Sequence, residues 1–194
     1  MTKDIYNEML KKLSDTLKNT SIDTSDKNKP KYMTKCKKPV VNVDKFKNDF
    51  TKNMSLTEVP KSCDALYMVS QDQFFLIEFK NGIIDAKKNY EINRKIFESL
   101  LLLSEKFSET INFMRKNMYF ILVYNENVKH GKKQYEDTNL NEIQMSLLKL
   151  ANERIIRFGL NHFKKLYFKE VYTYTKAEFE SKFVSKYCTG YFTV

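Results

Sequence analysis

Two carboxylates and a lysine lie at the borders of two apolar segments in the middle of the chain. Asp64 begins the first segment, and Glu78 and Lys80 lie two residues apart near the end of the second. Side chains alternate across a strand, so Glu78 and Lys80 project from the same face. Hairpin pairing would bring Asp64 beside them, because Asp64 lies six residues before Ser70 and Glu78 lies five residues after Gln73. These three residues form a candidate site.

A divalent cation would make such a cluster favourable. Neighbouring carboxylates repel each other, and their desolvation adds to the cost. Mg²⁺ prefers one or two carboxylates together with water and phosphate oxygens, so we expect Asp64 and Glu78 to hold Mg²⁺ or Mn²⁺. The cation would polarise a phosphodiester and lower the pKa of a bound water, while Lys80 would orient that water or stabilise charge on the phosphate. The alternative is a cross-strand ion cluster with little effect on stability.

The segments around these residues predict a hairpin followed by a crossover. Residues 63–69 and 74–80 read as strands joined by the polar turn 70–73. After Asn81-Gly82, the apolar spacing of residues 85–107 predicts a long helix. Residues 119–124 form another strand that is apolar on both faces. The order strand, helix, strand favours parallel pairing of the last two strands.

The remaining segments predict shorter elements. Apolar residues spaced four apart predict a helix over 3–18, and residues 20–39 read as a basic linker. We expect an N-terminal helix and basic linker over 1–39 and one α/β domain over 40–194. That domain adds a short strand (40–43), a helix (44–54), a surface loop (125–137), a helix (139–158), a strand (166–174) and a final short helix. Thr175 and Glu178 have capping-box spacing at the start of that helix, which carries Phe179 and Phe183.

The motif resembles one known family. Asp64, thirteen residues, and then Glu78-Phe79-Lys80 resemble the PD-(D/E)xK motif of restriction-endonuclease-like nucleases, with Cys63 in place of the family's proline. The element order over residues 40–125 also resembles the family core. The resemblance implies an α/β fold with a restriction-endonuclease-like core, which is a mixed central sheet flanked by helices in αβββαβ order. A helix-strand-helix elaboration would follow at the C-terminal end.

The same resemblance implies a function. Asp64 and Glu78 would be metal ligands and Lys80 the catalytic lysine of a nuclease that cleaves DNA or RNA. Basic residues in the first turn of the long helix, Lys87 and Lys88, would contact the nucleic acid. The alternative is a non-catalytic protein on the same fold that binds a partner, either a nucleic-acid-binding accessory or a toxin-immunity protein.

Sites of this family often contain an additional acid, and the sequence does not single one out. Glu58, Asp49 and Glu8 remain open as candidates.

Composition sets limits on partners and location. The net charge of +10 suits a polyanionic partner, although only four of the 34 basic residues are arginine. Three widely spaced cysteines do not predict a disulfide framework or a structural zinc site. The charged N-terminal segment does not resemble a signal peptide, and no apolar run is long enough to span a bilayer. We therefore expect a cytoplasmic protein without membrane contact.

Three further features have two interpretations each. Cys63 could be a nucleophile, but a buried strand cysteine explains it better because no histidine is near in sequence. The aromatic strand around Tyr167, Phe168, Tyr172 and Tyr174 could stack nucleobases, although core packing explains it better. The six lysines between positions 27 and 38 could bind phosphates, but a solvated linker is the simpler interpretation.

Overall fold

A six-stranded mixed sheet organises the protein. The computed structural model describes residues 2–24, 30–128 and 155–188. In chain order the sheet strands are β1 (Ser14–Thr16), β4 (Pro39–Asn42), β5 (Ala65–Ser70), β6 (Gln73–Lys80), β7 (Met118–Tyr124) and β8 (Glu170–Thr175), and this is also their spatial order. The pairs from β1 to β6 are antiparallel, whereas β6–β7 and β7–β8 are parallel.

Helices and a small hairpin complete the described fold. The hairpin pairs β2 (Ile22–Asp23) with β3 (Lys31–Tyr32). The helices are α1 (Thr2–Leu13), α2 (Leu17–Thr20), α3 (Val43–Asn53), α4 (Ala86–Phe107) and α5 (Ile111–Asn117), and a 3₁₀ turn covers Leu160–Phe163. The last helical segment, α6, runs through Lys176–Phe179, the π-helical turn Glu180–Val184, and Ser185–Tyr187. The chain is thus a mixed α/β fold with helices flanking the sheet.

The predicted hairpin and crossover are confirmed. Strands β5 and β6 pair with Ala65 opposite Ile77, and their turn is tighter than predicted because the pairing extends to Ser70 and Gln73. Helix α4 begins after Asp85, whose side chain accepts a hydrogen bond from the backbone N–H of Lys88 at 2.7 Å. The parallel pairing of β6 with β7 then places α4 on one face of the sheet.

The side chains of β6 alternate between two apolar layers, one on each face of the sheet. Phe74 and Leu76 belong to the layer that α1, α3 and α4 cover, whereas Phe75 and Ile77 belong to the layer that α6 covers. Alternation along the strand continues this pattern, so Glu78 lies on the α4 side. The position of α4 therefore decides what contacts the Glu78 carboxylate.

The N-terminal helix is shorter than predicted. Helix α1 ends at Leu13, and Ser14–Thr16 pairs with β4 instead of continuing the helix. The Asp15 carboxylate accepts hydrogen bonds from the backbone N–H of Thr16 and the side chain of Asn19. Such local bonds from Asp, Ser and Thr compete with helical hydrogen bonds. Leu17 then packs in the α6-side layer, whereas Met9 packs in the α4-side layer.

The described part of the predicted basic linker is built into the fold. Met33 is buried in the α6-side layer, and the Thr34 hydroxyl donates to Glu180 of α6 at 2.6 Å. The backbone N–H of Lys18 also donates to the carbonyl of Cys36 at 2.7 Å. The prediction of a linker over 20–39 was wrong for these residues, because isolated buried side chains such as Met33 give no periodic signal in a lysine-rich segment.

The C-terminal region agrees in part with the prediction. Strand β8 starts at Glu170 rather than at residue 166, and the capping box between Thr175 and Glu178 is confirmed. Phe179 and Phe183 are buried as predicted. The predicted helix 139–158 lies largely outside the described residues, and its last part is not helical because residues 155–157 are irregular and Phe158 has a positive φ.

Three other predictions can be compared with the described residues. The three cysteines are free thiols, and a hydrogen bond between the Cys36 and Cys188 thiols lowers the pKa of Cys36 to about 7. The aromatic side chains of β8 and of the residues just before it favour the core-packing interpretation, because Phe168 is fully buried. Across residues 2–24, 30–128 and 155–188, no helix has the length and apolar character needed to cross a membrane.

Candidate active site

The three residues singled out by sequence lie together at one end of the β5–β6 pair. The backbone N–H of Asp64 donates to the carbonyl of Ile77, which continues the strand register and sets Asp64 beside Glu78. One Asp64 oxygen, Oδ2, accepts a 2.6 Å hydrogen bond from the backbone N–H of Phe79. The Asp64 carboxylate is therefore fixed by the strand that carries Glu78 and Lys80.

A second lysine joins them from α4. The Nζ atom of Lys95 lies 2.8 and 3.0 Å from the two Glu78 oxygens and 3.4 Å from Asp64 Oδ1. Lys80 Nζ lies 2.5 Å from Glu78 Oε1. The site thus consists of two carboxylates and two ammonium groups, and both carboxylates face one point that the Lys95 ammonium occupies.

Sequence reasoning did not identify Lys95. A signal was present, since Lys95 shares the buried face of α4 with Ile92, Ile96 and Ser99. A lysine on an apolar helical stripe needs a partner for its charge. Its relation to Glu78 could not be seen from spacing, because it depends on how α4 packs across the end of β6.

Burial sets the electrostatics of the site. The Glu78 side chain is fully buried, and the side chains of Asp64, Lys80 and Lys95 are only 15 to 19 % exposed. Desolvation and the charge of Glu78 raise the pKa of Asp64 to about 7. Burial alone would lower the pKa of Lys95, but Glu78 and Asp64 outweigh it and hold that pKa above its usual value. The ammonium of Lys95 is therefore charged at neutral pH.

A cleft of about 330 Å³ opens onto this cluster. Asp64, Phe79 and Lys80 line its floor, and Asn81, Gly82 and Lys88 line one wall. Ser21–Thr24 and Met33, from the β2–β3 hairpin and its flanks, line a second wall, which the Asn81 amide joins through a hydrogen bond to Asp23. Asp64 and Lys80 therefore face a space that a ligand could enter.

The two lysines predicted to contact nucleic acid have different positions. Lys88 lines the cleft, and its Nζ lies 2.6 Å from Glu91 Oε2. Lys87, one residue earlier, is exposed and lies outside the cleft lining. Only Lys88 is placed beside the candidate site.

Among the contacts of the described residues, none links any of the three candidate additional acids to the cluster. Glu8 pairs with Lys12 on α1, Asp49 accepts from Asn53, and Glu58 lines a separate groove. Within the described part of the chain, no group of three His, Cys, Asp or Glu side chains is arranged to hold a metal. Hydrogen bonds from Lys47 and Ser62 outweigh burial and lower the pKa of another acid, Asp44, and the Lys95 charge adds to this effect.

The pair of carboxylates nevertheless fits a divalent cation. Asp64 Oδ1 and both Glu78 oxygens already surround one positive charge, and two carboxylates with water and phosphate oxygens are a common Mg²⁺ environment. A metal at this point would take the place of the Lys95 ammonium. Asp64 and Glu78 would hold it.

Cys63 does not have the surroundings of a nucleophile. It is fully buried, and burial together with the charge of Glu78 raises the pKa of its thiol well above the usual range. Its backbone N–H donates to the Ser99 hydroxyl at 2.8 Å. The interpretation as a buried strand cysteine is therefore favoured.

Comparisons of the chain with protein-family models, curated proteins and solved structures found no match.

Proposed function

We propose that this protein is a metal-dependent nuclease with a restriction-endonuclease-like core. The observation that carries the proposal is the convergence of Asp64 and Glu78 on one cation position, beside a cleft that Asp64 and Lys80 line. The arrangement of β4, β5 and β6, the α4 crossover and the parallel strand β7 supports it, because this order of elements resembles that of the family core. The net charge of +10 suits a nucleic-acid substrate.

The residues of the chain have distinct roles in this proposal. Asp64 and Glu78 would hold Mg²⁺ or Mn²⁺, which supplies Lewis-acid activation of the phosphodiester and of water. Lys80 lies between buried Glu78 and the cleft, where its ammonium stabilises negative charge that develops on the phosphate. Lys95 compensates both carboxylates when no cation is bound, and Lys88 attracts the nucleic-acid backbone into the cleft.

A cleavage assay tests the proposal. Circular double-stranded DNA, single-stranded DNA and RNA are incubated with wild type, Glu78→Gln and Lys80→Gln in Mg²⁺ or Mn²⁺. We expect wild type to cleave at least one substrate and each variant to lose about 100-fold or more of that rate. Glu105→Gln is the control, since Glu105 is exposed on α4 and does not line the cleft.

Retained folding of the variants is checked by circular dichroism. Cleavage by Glu78→Gln at the wild-type rate would remove the cluster from the reaction. No cleavage of any substrate by wild type with either metal would refute the proposal.

One observation favours the second candidate, a non-catalytic protein that binds a partner. Both lysines of the cluster are paired with Glu78, so the carboxylates are compensated without a metal. A site that serves only to hold strand β6 and helix α4 together would have this arrangement. In that case wild type binds neither Mg²⁺ nor Mn²⁺, and the Glu78→Gln substitution affects stability alone.

A further inference from the structure

The cleft has two chemically different walls. One wall is polar and basic, with Lys88 and Asn81 above the Lys80 ammonium of the floor. The other is formed by the β2–β3 hairpin and its flanks, where the apolar side chains of Ile22 and Met33 lie beside Ser21, Asp23 and Thr24. A ligand that fits both walls carries negative charge on one side and an apolar face on the other.

An exposed aromatic ring lies on the hairpin at the rim of the cleft, beside the lining residue Ile22 and outside the lining itself. Tyr32 pairs directly with Ile22 across the two strands, and cross-strand partners project from the same face of a ribbon. Both side chains are exposed to solvent, with exposed fractions of 39 % for Ile22 and 41 % for Tyr32. The Lys18 ammonium lies 4.5 Å from the centre of the Tyr32 ring. The rim therefore combines an accessible ring with a positive charge.

The hairpin is held in place by hydrogen bonds. The Ser21 hydroxyl oxygen accepts from the backbone N–H groups of Met33 and Thr34, each at 3.2 Å. On the cleft side, the Asn81 amide donates to Asp23 at 2.8 Å, which links the hairpin to the end of β6. The apolar wall is thus fixed relative to Asp64 and Lys80 before any ligand binds.

The size of the cleft limits what can enter. Its volume of about 330 Å³ lies at the lower end of small-ligand pockets, which run from roughly 300 to 1,000 Å³. That space holds about one nucleotide unit. A base stacked and paired within a duplex does not present its face to the hairpin wall, whereas an unpaired base does.

We propose that the cleft selects single-stranded nucleic acid, with an unpaired base packed against Ile22 and Tyr32 and the adjacent phosphates at Lys80 and Lys88. Single-stranded nucleic acid would then be the substrate class of the proposed nuclease. Its cleavage rests on the proposed function, whereas its binding does not. Stacking on an aromatic ring is tolerant of sequence because every base has a flat face. We therefore expect the cleft to distinguish single strands from duplexes, and not one base sequence from another.

Binding is measured in EDTA, where metal-dependent cleavage does not occur. Fluorescence anisotropy compares a labelled 20-nucleotide single strand with the duplex of the same sequence, for wild type, Tyr32→Ala and Tyr32→Phe. We expect wild type to bind the single strand at least about fivefold more tightly than the duplex, and Tyr32→Ala to lose about five- to tenfold in single-strand affinity. Tyr32→Phe keeps the ring and retains the affinity.

Tyr90→Ala is the matched control, since Tyr90 is 70 % exposed on α4 and not on the hairpin that carries Ile22 and Tyr32. It should bind like wild type. Equal affinity of wild type for single strand and duplex would overturn the proposal, as would unchanged binding by Tyr32→Ala or the absence of any binding. Because no metal is present, a single-strand preference without cleavage activity would refute the nuclease and leave the binding assignment standing.

Discussion

At the scale of single residues, Glu78 is the centre of the site. A fully buried carboxylate is costly unless it is paired, and Lys80 and Lys95 both pair with it. Removing one member of a buried pair leaves an uncompensated charge, which costs more than the pair contributes. The cluster is therefore sensitive to loss of either lysine.

Replacing Lys95 tests this compensation. We expect Lys95→Met to lower the free energy of unfolding by about 3 kcal/mol, because Glu78 and Asp64 lose a common partner while the apolar stem is kept. Urea denaturation in EDTA measures the change. Lys87→Met on the exposed surface of the same helix should change stability by less than about 0.5 kcal/mol.

The double variant Lys95→Met/Glu78→Gln separates charge from packing. It should recover a large part of the lost stability, since the buried negative charge is removed. A loss as great as in Lys95→Met alone would show that packing of α4, rather than charge compensation, explains the effect.

The Asp64 carboxyl predicts a pH dependence of stability. Desolvation and the charge of Glu78 raise its pKa from 3.8 to about 7 on folding, so between these pH values the folded protein binds more protons than the unfolded chain. The stabilisation is complete below pH 3.8 and is lost as the pH rises through about 7. Wild type in EDTA should lose stability over this range relative to Asp64→Asn, as followed by urea denaturation.

Asp44→Asn provides the control for that experiment. Burial alone would raise the pKa of Asp44, but hydrogen bonds from Lys47 and Ser62 outweigh burial and lower it. Asp44 is therefore ionised in both states over most of the same range, and its substitution should give a nearly constant offset. A wild-type profile parallel to that of Asp64→Asn would contradict the raised pKa of Asp64.

Much of this residue-scale arrangement could be predicted from the sequence. Alternation along β6 placed Glu78 and Lys80 on one face, and hairpin counting placed Asp64 beside them. The role of Lys95 could not be predicted, because a residue of α4 reaches Glu78 only through tertiary packing. The sequence left Glu58, Asp49 and Glu8 open as an additional acid, and the contacts given for these residues lie away from the cluster.

At the scale of elements, segments with a strong apolar periodicity were predicted correctly, whereas the short strands were not. The β5–β6 hairpin, α4 and β7 are long enough for their apolar patterns to be read directly. In contrast, β1, β2 and β3 have two or three residues each, and pairing with other segments decides their conformation. The hairpin that forms one wall of the cleft therefore could not be predicted from the lysine-rich sequence.

The cap of α6 offers a prediction at this scale. The Thr175 hydroxyl accepts from the backbone N–H of Glu178 at 3.1 Å, and the Glu178 carboxylate accepts from the backbone N–H of Thr175 at 3.0 Å. Thr175→Ala should lower the free energy of unfolding by about 1 kcal/mol, because α6 loses this cap. Ser181→Ala, at an exposed position of the same segment, should be nearly neutral in urea denaturation. Equal effects of the two substitutions would argue against a stabilising cap.

At the scale of the whole molecule, the sheet separates two apolar layers, and the cleft lies where both approach the ends of β5 and β6. Phe79 of the α6-side layer and Asp64 of the cluster line the same cleft floor. The N-terminal segment, predicted as a separate helix and linker, contributes a sheet strand and one cleft wall. The candidate site is therefore assembled from distant parts of the chain, which sequence order alone does not reveal.

Binding of Mn²⁺ by isothermal titration calorimetry tests the central claim most directly. The account predicts that wild type binds Mn²⁺ at the cluster, that Asp64→Asn loses this binding, and that Glu105→Gln, on the exposed surface of α4, retains it. Absence of Mn²⁺ binding by wild type, or equal binding by wild type and Asp64→Asn, would contradict a cation site at Asp64 and Glu78.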